Sequence, residues 1–184
     1  MSGYLIVVTG EHGCVRDALQ RFISDRDDVG YLACLEESLR AELPQAQLDE
    51  ALMEEEFKRD ALDVLPVLEA GGTVAVEQWH IGNLARIRQS APEVAQVYEE
   101  RLAEHLPSLE SVKMRVFYVS TDVEKQVTGA GADSKRDELG GLASVIEQYG
   151  LPLDTIDGEA TPQTIENRLL YLLTCILPSI ADSS

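Results

Sequence analysis

The chain has 184 residues, of which 45% are hydrophobic and 26% charged; that length suits one domain with its own core, and no apolar run reaches the roughly 20 residues that would span a bilayer. Thirty-three acidic residues against fifteen basic ones give a formal net charge of −18. A field of that sign repels phosphate backbones, and no basic patch offsets it, so nucleic-acid binding is disfavoured.

The N-terminal segment lacks a basic flank or cleavage site before its apolar run, which points to a buried strand in a cytoplasmic protein rather than an export signal. That strand, Tyr4 to Thr9, ends in Gly10, and an amphipathic helix follows from about Val15 to Arg26, with Leu19, Phe22 and Ile23 on one face. Tyr31 to Leu35 reads as a second short strand. Leu48 to Leu68 reads as one Glu-rich helix with Pro66 near its end, stopped by Gly71-Gly72. Thr73 to Val76 is the third strand, and helices over Gly82 to Gln89 and Pro92 to His105 follow, the second capped by Ser90 with Pro92 in its first turn. Met114 to Val119 is the fourth strand. A helix near Leu139 to Tyr149 precedes a weaker fifth strand at Leu153 to Ile156, and Thr161-Pro162 opens a last helix through about Leu177. Strands alternating with helices predict a parallel α/β sheet covered on both faces.

Cys14, Cys34 and Cys175 have no CxxC spacing, and His12, His80 and His105 are scattered along the chain. This spacing predicts neither a disulfide framework nor a zinc site, and each histidine is read as a loop or surface residue. Four Lys beside eleven Arg in so acidic a chain is a composition that resembles proteins of salt-accumulating halophiles. An acidic protein of ordinary salt is the other reading.

In an open α/β sheet, ligands bind beyond the carboxyl ends of the strands. After the first strand stands GEHGCVRDA, residues 10–18. Set against the phosphate-binding pattern GxxxxGK[ST], Gly10 takes the first glycine, Val15 the second, Arg16 the lysine and Asp17 the hydroxyl residue. One of the four key positions is kept. After the third strand, LPVLEAGGTVAVEQWHIGNLARIR offers Glu77, Gln78, Trp79, Gly82, Ala85 and Arg86, and after the fourth the small-residue segment Thr128 to Asp137 carries Lys135 and Arg136.

In the order and spacing of Pro66, Leu68, Gly71, Glu77 and Ala85, and in LDTIDGEATPQTIENRL near the end, the chain resembles the thymidylate kinase and deoxynucleoside kinase superfamily of P-loop kinases, with degenerate motifs. The resemblance implies a three-layer P-loop kinase fold whose five-stranded parallel sheet has the order 2-3-1-4-5, one domain over residues 1–184, and a lid at 128–137. It implies ATP and magnesium as cofactors, and a nucleoside or nucleotide acceptor. No nucleic acid or membrane partner is expected, and a homodimer is left open. By the same resemblance, Gly10, Gly13, Arg16 and Asp17 face the donor phosphates, with Arg16 at the lysine position. Glu77 positions acceptor or magnesium, Trp79 and Arg86 form the acceptor pocket, Arg59 stands in for a helix arginine expected near Glu56, and Arg136 closes the lid. A structural reading stands beside each: Glu77 as a helix cap, Trp79 as core packing, Arg16 and Arg136 as solvated charges. At the level of function, a phosphotransferase and a noncatalytic descendant that binds a protein or a regulatory ligand are the two alternatives.

Overall fold

The structure, a computed structural model, describes residues 3–10, 19–21, 23, 26, 28–120, 141–157, 167, 168, 170, 171 and 175. The expected phosphate loop at 11–18, the lid at 128–137 and the entry to the last helix lie outside these residues. Five parallel strands form one sheet in the order β2-β3-β1-β4-β5, with β1 at Tyr4–Gly10, β2 at Val29–Leu32, β3 at Thr73–Glu77, β4 at Lys113–Ser120 and β5 at Leu153–Asp157. β1 lies at the centre, Tyr4 level with Thr73 of β3 on one side and with Lys113 of β4 on the other.

All five residues of β3 are buried, so both faces of the sheet are covered there, as continuous apolar parallel strands require. Leu5, Val7, Val74, Val76 and Val116 pack against Leu52, Met53, Leu68, Trp79, Leu84 and Ile87 from the helices, while Ile6, Val8 and Phe117 are equally buried. The helices are α1 at Leu35–Glu42, α2 at Gln45–Arg59, α3 at Leu65–Glu69, α4 at Trp79–Ser90, α5 at Pro92–His105 and α6 over 141–148. No helix among the described residues is long and apolar enough to cross a membrane.

Four elements differ from the sequence reading. β2 ends at Leu32, and Leu35 begins a helix instead of closing a strand, favoured by Glu36 and Glu37 in its first turn, where the helix dipole welcomes acids. The single helix expected over Leu48 to Leu68 is divided: α2 gives way to a π-helical turn at Asp60–Val64, and α3 follows. Pro66 supplies the reason, because it has no N–H to give the carbonyl four residues back and its ring crowds that carbonyl; widening the preceding turn accommodates both. α4 starts at Trp79 rather than Gly82. The cap of α5 is Ala91, without a side-chain bond, since the Ser90 hydroxyl donates instead to Asp49 Oδ2 at 2.7 Å.

Candidate functional site

The parallel register brings the carboxyl ends of β1 and β3 side by side, with Val8 level with Glu77. Thr9 and Gly10 of β1, Glu77 of β3 and Gln78 just after it thus open onto one edge, the edge to which the sheet geometry assigns ligands. Glu77 is 4% exposed. Its Oε1 accepts from the Tyr31 hydroxyl at 2.5 Å and its Oε2 from the Cys34 backbone N–H at 3.2 Å, so β2 and the start of α1 fix its orientation. Burial pushes the Cys34 thiol above its ordinary range, which keeps it protonated.

Gln78 and Trp79 both take positive φ, 65° and 44°. For residues with a Cβ, such backbone persists only where the surroundings impose it. Here the Gln78 N–H donates to the Val8 carbonyl at 2.8 Å, and the Thr9 hydroxyl donates to Gln78 Oε1 at 2.7 Å. Gly82 makes room for this: a Cβ there would stand 2.1 Å from Gln78 Oε1. A neutral amide therefore lies between the two strand ends, at the position where the kinase resemblance leads one to expect an arginine.

The two described arginines named from the sequence are tied to acids. Arg59 pairs with Glu56 and donates from Nη1 to the Ala33 carbonyl at 2.7 Å, while Asn83 donates to the other Glu56 oxygen at 2.7 Å. Burial holds the Glu56 carboxyl above its ordinary range, against the pull of Arg59. Arg86 reaches from α4 to Asp49 at 2.7 Å and to Glu36 at 3.3 Å, locking α1, α2 and α4 together. Trp79 is fully buried, with its indole in the core cluster. Gly10 ends β1; Gly13, Arg16, Asp17 and Arg136 lie outside the described residues.

Behind this edge lies a group that the sequence reading did not assemble. Asp60, at the π-turn, accepts from Trp79 Nε1 at 2.9 Å on Oδ1, and its Oδ2 faces His80 Nε2 at 3.0 Å and His105 Nε2 at 2.8 Å. His80 Nδ1 meets the Tyr98 hydroxyl at 2.8 Å, and Phe57 packs on His80 with ring centroids 4.5 Å apart. His80 is completely buried and His105 only 15% exposed, which corrects the expectation that each is a loop or surface residue. Burial pushes the Asp60 carboxyl up, but the hydrogen bonds from His105, His80 and Trp79 outweigh it and hold the group well below the usual carboxylate range. Among the described residues, Asp60, His80 and His105 are the group able to offer three ligand atoms to one cation. Nothing in the sequence singles these three out, since Asp60 and His105 lie among other charged helical residues and His80 stands beside the single tryptophan. Their meeting depends on three helices packing, which spacing does not reveal.

No family model matches the chain, and no curated protein sequence does. Among solved structures it is similar to the thymidylate kinase from Ehrlichia chaffeensis, with a TM-score of 0.65 and 11% identity over 94% of this chain and all of that one. At that identity the likeness is one of fold, and the chain has a thymidylate kinase-like α/β architecture.

Proposed function

We propose that the chain is a nucleoside or nucleotide kinase-like protein that transfers a phosphoryl group from ATP to a deoxynucleoside or its monophosphate. The observation that carries this reading is the register of β1 with β3, which sets the glycine-bearing end of the central strand beside the buried, oriented carboxylate of Glu77. Phosphoryl transfer asks a protein mainly for positioning and charge stabilisation. Glu77 suits the first task, because the Tyr31 hydroxyl and the Cys34 N–H hold its carboxylate in one orientation at the strand end, where an acceptor hydroxyl or the water shell of magnesium would be positioned. In this reading Gly10, Gly13, Arg16 and Asp17 face the donor phosphates, magnesium bound with ATP supplies charge neutralisation there, and Arg136 closes the lid.

A second reading is favoured by a specific observation: Arg59 and Arg86 are both engaged by acids, and Gln78 stands where a cation is expected. A noncatalytic descendant that keeps the fold to bind a nucleotide or a protein partner needs fewer free cations. Incubation with ATP, magnesium and a panel of nucleosides and monophosphates in molar potassium chloride separates the two. Turnover that is lost in Arg16→Ala and Glu77→Gln supports the kinase. No turnover, with a thermal shift by ATP, supports the binding module; a ligand at a hundred times its dissociation constant adds about 2.7 kcal/mol. Neither turnover nor shift removes nucleotide binding altogether.

A further inference from the structure

We propose that Asp60, His80 and His105 bind a divalent transition-metal cation of the zinc type at the junction of α2, α4 and α5. The three ligand atoms lie within 4.8 Å of one another. Asp60 Oδ2 stands 3.0 Å from His80 Nε2 and 2.8 Å from His105 Nε2. Two ligand bonds of about 2.0–2.1 Å that meet near a right angle span about 3 Å, which matches the two Oδ2–Nε2 distances, and a cation takes all three atoms once the two imidazoles draw together. Two imidazoles and one carboxylate form a donor set suited to zinc, cobalt or ferrous iron and poorly suited to magnesium or calcium, which prefer oxygen alone.

The surroundings match what a metal site requires beyond its ligands. Metal-bound histidines are held by a partner on the other ring nitrogen. His80 has one, the Tyr98 hydroxyl on Nδ1 at 2.8 Å, and Tyr98 is itself completely buried. The pair permits a neutral exchange of tautomer: without metal, Nε2–H donates to Asp60 and Nδ1 accepts from Tyr98; with metal, the Nε2 lone pair faces the ion and Nδ1–H donates to the Tyr98 oxygen. Trp79 Nε1 orients the carboxylate by donating to both oxygens, at 2.9 Å to Oδ1 and 3.1 Å to Oδ2, while Oδ2 is the oxygen turned to the imidazoles. His105 is the partly exposed member and marks the way in. The net charge of −18 raises the local concentration of any divalent cation.

Trp79 is the single tryptophan of the chain and donates directly to Asp60, so its fluorescence reports on the site. Protein stripped with EDTA is titrated with cobalt(II) in molar potassium chloride, which screens the acidic surface. The expected result is quenching of Trp79 that saturates at one ion per chain, visible d–d absorption, displacement of cobalt by zinc, and no response to magnesium. His105→Gln should weaken binding at least about tenfold. Should that variant fail to fold, wild-type protein labelled with 15N-histidine serves instead: of the three histidines, the imidazole signals of His80 and His105 should move on adding zinc while that of His12 does not. Unchanged fluorescence and histidine signals at millimolar zinc or cobalt would overturn the site and leave a hydrogen-bonded cluster. Binding of equal strength in His105→Gln, or movement of His12 alone, would overturn it by placing the ion elsewhere.

Discussion

Replacing Asp60 with alanine removes the acceptor on which three donors converge, and the cost can be worked out from their burial. Trp79 and His80 are completely buried, so with the carboxylate gone the indole N–H and the His80 Nε2–H have no water to turn to. A buried donor left unpaired costs about 1–3 kcal/mol, which makes about 2–6 kcal/mol for the two. His105, 15% exposed, can rotate towards solvent and adds less. Relief from burying an anion offsets part of this, but the donors keep their need for an acceptor. Against the roughly 5–15 kcal/mol of a typical domain, the loss is a large fraction of the whole. Asp60→Asn should cost less, about 1–3 kcal/mol, because its amide oxygen can stay on Trp79 while His80 changes tautomer and accepts from the amide nitrogen. Urea denaturation at fixed salt in the presence of EDTA measures both, with the expected order wild type, then Asp60→Asn, then Asp60→Ala. If Asp60→Ala unfolds within about 1 kcal/mol of wild type, the donors do not depend on Asp60 and the reasoning fails.

Two further outcomes follow from charge. Burial raises the Glu56 carboxyl above its ordinary value of 4.5, so the folded state holds that proton more tightly than the unfolded chain and its contribution to stability declines as pH climbs through the folded value. Wild type should therefore lose stability relative to Glu56→Gln as pH rises above 4.5, read from paired urea titrations; a wild type that gains instead would mean that the Arg59 pair outweighs burial. Across the whole chain, the excess of acids predicts a melting temperature that climbs from tens of millimolar to molar potassium chloride, as the Debye length contracts from about 30 Å at 0.01 M to about 3 Å at 1 M. A flat or falling profile would show the acids to be balanced by local pairs.

What could be read from the sequence was whatever lies within a single element. Pro92–His105 is bounded correctly because Pro92 opens it and Ala95, Tyr98 and Leu102 repeat at helical spacing on the buried side. The strands were legible as apolar runs, and Glu77 as an acid closing one of them. The strand order came from family resemblance, because periodicity is indifferent to which strands are neighbours. α1 escaped notice since it is only eight residues long, none of them fully buried, and its apolar stripe is no more than Leu35 and Leu39. The divided helix needed the π-turn, a local answer to Pro66. The Asp60 cluster was hidden more deeply, as its members sit on different helices and their pairing is a product of packing. The positive φ angles at Gln78 and Trp79 are likewise imposed by tertiary bonds, to Val8 and Thr9, that local propensity does not foresee.

The central place of β1 also has a consequence for how the chain is made. Of the five strands β1 is made before both of its neighbours: β3 is complete at Glu77, and β4 at Ser120. At roughly 5–20 residues per second, synthesis leaves Leu5 to Val8 without a full set of partners for about 6–20 s. During that interval four consecutive aliphatic residues have backbone donors and acceptors open, on both edges until β3 is made and on the β4 edge after that, the condition in which strands pair with the wrong chain. Adding each strand to the one made just before it is closed to this topology, since β2 pairs with β3 and not with β1; the sheet assembles around a strand that has waited for its neighbours.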